Sequence, residues 1–338
     1  MTRRLLIAFA ASALLVARAR AQENTTTVLI GRIVVAGGNV PLPYVAVTLN
    51  GRNAQFTDSA GRFTVEGIAA GDVKVRARRI GYAPVEQTVR IARGDTVRTT
   101  LAMTRLAIQL PAMTAVGRVC TNPGAPGRGA DSGLVQLYEQ MQQNAETLRL
   151  LNIAYPYVYV SERQFVTTLN DSVIERTAME TLTGTSARSW HYEPGKMVFE
   201  ANTTTNMHLP TLATFAEESF AKAHCFDYGG IADVDGQALV RIDFTPDARI
   251  KEPDVSGSIY LDPKTYQIKR SDVVLSKVPY ALSGKVTGHS VTTYFSEIAP
   301  GIPIIGGFRA VVNKLRDGEV VAELQRVTDV HFIGARPD

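Results

Sequence analysis

The chain of 338 residues has little of what most recognisable chemistry requires. It carries two cysteines, Cys120 and Cys225, which excludes a multi-cysteine zinc site or a disulfide-dense scaffold. Its five histidines, His191, His208, His224, His289 and His331, are scattered, and no pair stands four apart around a Glu as a helical zinc site needs. There is no G-x-S-x-G elbow; Gly288-His289-Ser290 is not one, and Ser290 falls in a strand pattern. No Gly-rich phosphate loop precedes a helix. Charge of one sign is lacking too. The 36 Lys and Arg exceed the 32 Asp and Glu, but Arg3, Arg4, Arg18 and Arg20 all lie in an acid-free N-terminal segment. The remainder is balanced, which excludes the broadly basic surface of a nucleic-acid binder. Beyond that segment no run approaches the ~20 apolar residues of a membrane span.

The N-terminal segment itself reads as an export signal. Thr2-Arg3-Arg4 is a basic start, residues 5–16 are an apolar core of about 12, and Ala19-Arg20-Ala21 is an A-x-A cleavage site before Gln22. Cleavage between Ala21 and Gln22 is expected to release a soluble, exported chain. No Cys follows the cleavage point, so N-terminal lipid anchoring is not expected. In an oxidising compartment the even cysteine count favours a Cys120–Cys225 disulfide.

From residue 28 to 103 short strands alternate around one turn. Val45, Val47 and Leu49 share a face, as do Phe63 and Val65, and then Val73, Val75 and Ala77. Between them lies Phe56-Thr57-Asp58-Ser59-Ala60-Gly61-Arg62-Phe63. Asp58 can cap this turn with a side-chain oxygen, and Gly61 can supply a positive φ. Five blocks carry a family resemblance: Ile30-Gly31-Arg32-Ile33-Val34; residues 40–47; Thr57-Asp58-Ser59-Ala60-Gly61-Arg62-Phe63; residues 67–75 with Ile80-Gly81-Tyr82; and 97–101. Together they resemble the carboxypeptidase regulatory-like domain, a transthyretin-like β-sandwich. The resemblance implies a fold and an envelope or secreted setting, and no catalysis of its own. Lys74, Arg76, Arg78 and Arg79 read as a charged strand edge that discourages sheet-to-sheet association.

The expected organisation is a signal over 1–21, the sandwich over 25–105, a Pro/Gly-rich linker over 106–130 and a second domain over 131–335. Asp131 or Ser132 can cap a helix with Leu134, Leu137, Met141, Ala145, Leu148 and Leu151 on one face. Strands are expected over 155–169 and 172–182, with a hairpin arm over 190–200 and a second helix over about 212–223. The final third is a meander ending in a hairpin at Arg316-Asp317-Gly318. The fold class is therefore mainly β to α+β: the sandwich, then an antiparallel-sheet domain with two helices. Within it, Gly257-Ser258-Ile259-Tyr260-Leu261-Asp262-Pro263-Lys264-Thr265-Tyr266-Gln267-Ile268 resembles a hairpin of lipoprotein-carrier-like half-barrels. That resemblance implies a concave face able to hold an acyl chain or apolar peptide.

Few residues stand out as functional. Tyr155, Tyr157 and Tyr159 alternate and could line a binding surface, or cover a core. Asp233-Val234-Asp235-Gly236 lacks the further ligands of a calcium loop and reads as a hairpin turn. No catalytic residue, metal ligand or cofactor is expected. The preferred reading is an exported non-catalytic binding or assembly protein of the cell envelope. Its partner would be an envelope protein or a lipophilic or peptide ligand. The alternatives are a periplasmic carrier of a lipophilic ligand and a hydrolase assembled from dispersed residues.

Overall fold

The computed structural model describes residues 26–111, 119–127, 129–186, 190–201, 204–208, 210–280, 285–314 and 318–334. The Ala21–Gln22 cleavage point and most of the Arg316-Asp317-Gly318 turn lie outside them.

Seven strands form the sandwich: β1 Val28–Val35, β2 Ala46–Leu49, β3 Arg52–Phe56, β4 Arg62–Glu66, β5 Gly71–Arg78, β6 Val85–Ile91 and β7 Thr96–Met103. One sheet runs β4-β1-β7, with β1 and β7 parallel, and the other β3-β2-β5-β6. Alternation drives the packing, because Leu29, Ile33, Val45, Val47, Phe63, Val75 and Leu101 all turn into one buried cluster. The turn before β4 is held by side chains. Asp58 Oδ1 accepts from the N–H groups of Ala60 (2.9 Å) and Arg62 (2.7 Å), and the Arg62 guanidinium lies on Oδ2 at 2.9 Å. Partial burial acts to raise the Asp58 carboxyl, but these bonds and the Arg62 charge hold it below its ordinary value. Thr57 Oγ1 accepts from Val45 N and donates to Leu42 O, both at 3.0 Å, tying the turn to the opposite sheet.

Helix α1, Ser132–Ala154, follows, capped by Asp131 Oδ1 on Gly133 N at 2.7 Å. The rest is an antiparallel sheet of ten strands: β8 Tyr157–Leu169, β9 Ser172–Arg176, β10 Glu180–Thr185, β13 His224–Val234, β14 Gln237–Pro246, β15 Val255–Leu261, β16 Ile268–Leu275, β17 Val286–Ala299, β18 Ile302–Lys314 and β19 Glu319–Phe332. Its order is β10-β8-β19-β18-β17-β16-β15-β14-β13, with β9 also on β8. A small hairpin, β11 Val198–Ala201 with β12 Thr204–Met207, stands apart from it.

Three local expectations are corrected. Tyr155 is not in a strand: it closes α1, donating its N–H to Leu151 O, and β8 begins at Tyr157. The cause is Pro156, since a residue before proline avoids the helical region. The segment 172–182 is two strands, because β8 is long enough to pair with both β9 and β10. The expected second helix is broken into a 3-10 turn, Thr214–Ala216, and helix α2, Glu218–Ala223. Glu217 between them is extended, and its carboxylate accepts from Tyr192 N at 3.0 Å.

Helix α1 lies between two sheets. Its Leu137, Met141, Leu148 and Leu151 share one cluster with Val240, Ile242, Phe244, Ile259 and Phe295 of the large sheet. The same cluster takes in Tyr44, Ala46, Phe56 and Ile80 from the sandwich. Phe56 stacks on Tyr155 with ring centres 6.2 Å apart. Polar contacts reinforce this layer. Asn144, fully buried, donates to Gln140 O (2.8 Å) and Tyr266 O (2.9 Å) and accepts from Ile268 N (2.9 Å). Tyr266 Oη in turn accepts from Ile108 N at 2.9 Å, anchoring the segment that leaves the sandwich. The basic edge is partly absorbed as well. Lys74 stands 3.6 Å from Glu86, and Arg79 donates to Pro43 O (2.5 Å) and to Pro300 O (3.4 Å).

Candidate functional site

The large sheet and the C-terminal half of α1 leave a cavity of about 210 Å³ between them. Each wall has a local cause. Leu148 and Asn152 sit four apart and thus on one face of α1. Tyr157 and Tyr159 alternate along β8 to the same face, with Val327 and Val330 beside them on β19. Ile304, Ile305 and Phe308 come from β18, and Pro210, Thr211 and Ala213 close the side ahead of the 3-10 turn.

Room for one of the tyrosines depends on a glycine. Gly184 of β10 lies opposite Tyr159, and a Cβ on Gly184 would stand 2.2 Å from the Tyr159 ring. The absent side chain therefore lets the ring lie across β10. Burial, with Tyr159 close by, pushes the Tyr157 hydroxyl up to about 12, so it stays protonated at neutral pH. Asn152, Thr185, Ser186, Thr211, Thr293 and Gln325 add polar groups to a mainly apolar lining. Gln325 donates to Ser161 Oγ at 2.7 Å, and Asn152 Oδ1 is buried with no hydrogen-bond partner among the described residues. The cavity thus combines mainly apolar walls, two aromatic faces and some polar atoms, a lining of the kind that small-molecule sites have.

Two of the three tyrosines that alternate in the sequence thus meet at the cavity. Tyr155 does not; it packs on Phe56 in the layer between sandwich and helix. Leu148 carries only the signal of the helical stripe, and Pro210, Phe308 and Gln325 carry none, because only the fold brings them together.

Cys120 and Cys225 form a disulfide across 105 positions, with Cα atoms 5.5 Å apart. Ala248 N donates to Cys120 O and Gly124 N to His224 O, both at 2.9 Å, so backbone bonds flank the bridge. Beside it lies a buried polar cluster. Asp254, fully buried, accepts from Tyr192 Oη (2.7 Å), Gly195 N (2.9 Å) and Val255 N (2.7 Å). His224 Nε2 is 3.7 Å from Asp254 Oδ1, and its ring nitrogens lie 2.9 Å from Phe220 O and 3.0 Å from Val255 O. Burial pushes the His224 imidazole down, with the Phe220 carbonyl, Asp254 and the Val255 carbonyl pulling the other way. An acid, an imidazole and a phenol in contact suggest catalysis, but none of the three lines the cavity. Their partners are backbone groups and one another, so the cluster is a clasp holding residues 190–196 to the start of β15.

Asp233-Val234-Asp235-Gly236 is the β13–β14 turn, with Gly236 N on Asp233 Oδ1 at 3.0 Å. Among the described residues no group of three His, Cys, Asp or Glu is placed to hold a metal. No helix among them is long and apolar enough to cross a membrane.

Comparison with known families decides the first seven strands. Residues 28–104 match the carboxypeptidase regulatory-like domain. The regulatory-like domain therefore comprises β1 to β7 and supplies the layer over α1. No curated protein matches the chain. Similar solved structures include a DUF1329 family protein from Desulfovibrio piger, 13% identical, covering 59% of this chain and 95% of its own, with a TM-score of 0.31. Another is an outer membrane lipoprotein-sorting protein domain from Vibrio parahaemolyticus, 10% identical over 59% of this chain and 94% of its own, TM-score 0.31. A LolA superfamily protein from Nitrosomonas europaea is 10% identical over the same shares, 59% and 94%, with a TM-score of 0.29.

Proposed function

We propose that this chain is an exported, non-catalytic binding protein of the cell envelope, whose second domain holds a lipophilic ligand between α1 and the sheet. The cavity of about 210 Å³ carries the reading. For scale, an apolar cavity of about 150 Å³ takes up benzene, so a ring or a length of alkyl chain fits here. Leu148, Ile304, Phe308, Val327 and Val330 give it apolar walls, and ligand burial gains roughly 25 cal/mol per Å² of apolar surface. Tyr157 and Tyr159 add flat faces and hydroxyls.

The regulatory-like domain acts as a support. It contributes Tyr44, Ala46, Phe56 and Ile80 to the cluster around α1 and bonds Gly81 N to Gln140, which holds the helix in place beside the cavity. Export rests on the basic start, apolar core and A-x-A site of residues 1–21, and a disulfide suits an oxidising compartment.

The test is titration of the mature protein with N-phenyl-1-naphthylamine, whose emission rises in apolar surroundings, followed by displacement with decanol. Saturable binding is expected, and Ala213→Phe, which places a ring in the cavity, should weaken it by about tenfold or more with the melting temperature held. Equal binding by that variant, or no saturable binding, contradicts the assignment.

A further inference from the structure

A second cavity, of about 330 Å³, opens on the same face of the sheet. Across β17 and β18, His289 pairs with Val312, Val291 with Ala310, and Thr293 with Phe308. Alternate residues of a strand share a face, so the three pairs are successive rows on one side. His289 and Val312 line the second cavity; Thr293 and Phe308 line the first. Only the Val291–Ala310 row stands between, and His289 to Thr293 is a span of about 13 Å at 3.3 Å per residue.

The walls of the second cavity are largely apolar, with Val198, Met207 and Leu275 among them. Of the polar groups there, one lacks a hydrogen-bond partner and another lacks a counter-charge. His289 Nδ1 is buried with no hydrogen bond among the described residues, and burial pushes its imidazole below the ordinary value. Lys277 lines the same cavity. Its ammonium donates to Ile250 O (2.9 Å) and Lys251 O (3.0 Å), and no carboxylate among the described residues pairs with it. The other end has the opposite character. Arg163, in the same row as Gln325 of the first cavity, is shared by Glu180 at 2.7 Å and Glu323 at 3.8 Å, leaving an acid in surplus. Glu323 itself lies in the dividing row, opposite Ala310.

We infer that this face takes a single-chain carboxylate amphiphile, a fatty acid, with its carboxylate at Lys277 and His289 and its tail directed over Ala310 toward the first cavity. The inference rests on the lipophilic-binding function proposed above and adds to it a head group and a direction. A carboxylate accepts from both the ammonium and an imidazole N–H, and such charge-assisted bonds are about twice as strong as neutral ones. It also gives the buried imidazole nitrogen the partner it lacks. The surplus acid near Glu323 disfavours the reverse orientation by like-charge repulsion. Val291 and Ala310 of the dividing row are themselves buried, so a tail that passes them displaces what covers that row.

The experiment is titration calorimetry of the mature protein with dodecanoate, dodecanol and dodecylamine, repeated with Lys277→Gln and His289→Leu after their melting temperatures are matched to the parent. Dodecanoate should bind about tenfold more tightly than dodecanol, and each substitution should remove most of that difference. Dodecanol equal to dodecanoate, dodecylamine tighter than either, or both variants keeping the full preference overturns the carboxylate inference and leaves lipophilic binding standing. Failure of all three ligands to bind overturns both.

Discussion

The backbone N–H of Gly81 donates to Oε1 of Gln140 at 2.7 Å, and this bond fastens the regulatory-like domain to helix α1. Gly81 has a φ of +81°, and a Cβ there would stand 2.8 Å from Thr265 O in the β15–β16 turn. Three segments far apart in the chain therefore meet at one residue: the Ile80-Gly81-Tyr82 block, the helix, and the turn of the second domain. The sandwich has its own core, yet its outer face completes the core of its neighbour.

Gln140→Leu keeps the volume and removes the acceptor, leaving the Gly81 N–H buried and unpaired. The expected loss is about 1–3 kcal/mol. Urea unfolding of the parent should show a single transition by both far-UV and near-UV signals, because the shared core couples the domains. Two separated transitions in the parent protein would show that this layer does not join them.

Reduction of the Cys120–Cys225 bridge should lower the urea midpoint without changing the native spectrum. For a loop of about 100 residues the chain-entropy estimate is about 4.7 kcal/mol, an upper figure where the reduced unfolded state keeps structure. Midpoints measured with and without a phosphine reductant test this, and coincident curves would contradict it.

Acid should destabilise the fold through carboxylates that it holds ionised. Asp262 Oδ1 accepts from Lys264 N and Thr265 N, both at 2.8 Å. Burial acts to raise this carboxyl, yet those bonds, the Thr265 hydroxyl and the Lys269 charge hold it below the ordinary carboxylate value. A group depressed in the folded state contributes fully above its unfolded pKa and loses the contribution as pH falls through the folded one. Stability should therefore be flat in this respect above about pH 4 and fall below it. Asp262→Asn keeps an acceptor but cannot titrate, so its stability-against-pH curve should be shallower on the acid limb; an unchanged slope would remove Asp262 from the account.

Much of the fold can be read in the sequence because it is local. The two-residue period of β5 and the Asp58 cap belong to neighbouring residues, and the apolar stripe from Leu134 to Leu151 marks the face of α1 on the large sheet. The polar positions within and beside that stripe are where sequence reasoning fails. Gln140, Gln143, Asn144 and Thr147 read as a wet surface, yet all are buried. Gln140 is met by Gly81 of the regulatory-like domain and Asn144 by Tyr266 and Ile268 at the large sheet's β15–β16 turn, partners that no helical period encodes. The cavity is illegible for the same reason, since Tyr157, Pro210, Phe308 and Val330 lie on four separate segments. Alternation does not carry through Pro156, where the backbone changes from helix to strand, so Tyr155 stays outside the period of β8.

Gly184→Val should close the cavity from the side of β10. The new branch would occupy the place of the Tyr159 ring, which must turn into the cavity or out to solvent. Because β10 is an edge strand, the cost in stability is expected to be near 1–3 kcal/mol, while displaceable dye binding is lost. Binding retained at parental affinity would argue that Tyr159 does not shape the site.

The central claim is that the space between α1 and the sheet is a ligand site. Its most direct measurement is native mass spectrometry of the mature protein isolated from its own envelope without detergent, followed by denaturation and lipid analysis of what is released. A bound mass in the range of a single-chain lipid, present in the native spectrum and lost in Ala213→Phe, is the expected result. A bare polypeptide mass for the parent protein, together with no uptake of added alkyl ligand, would contradict it.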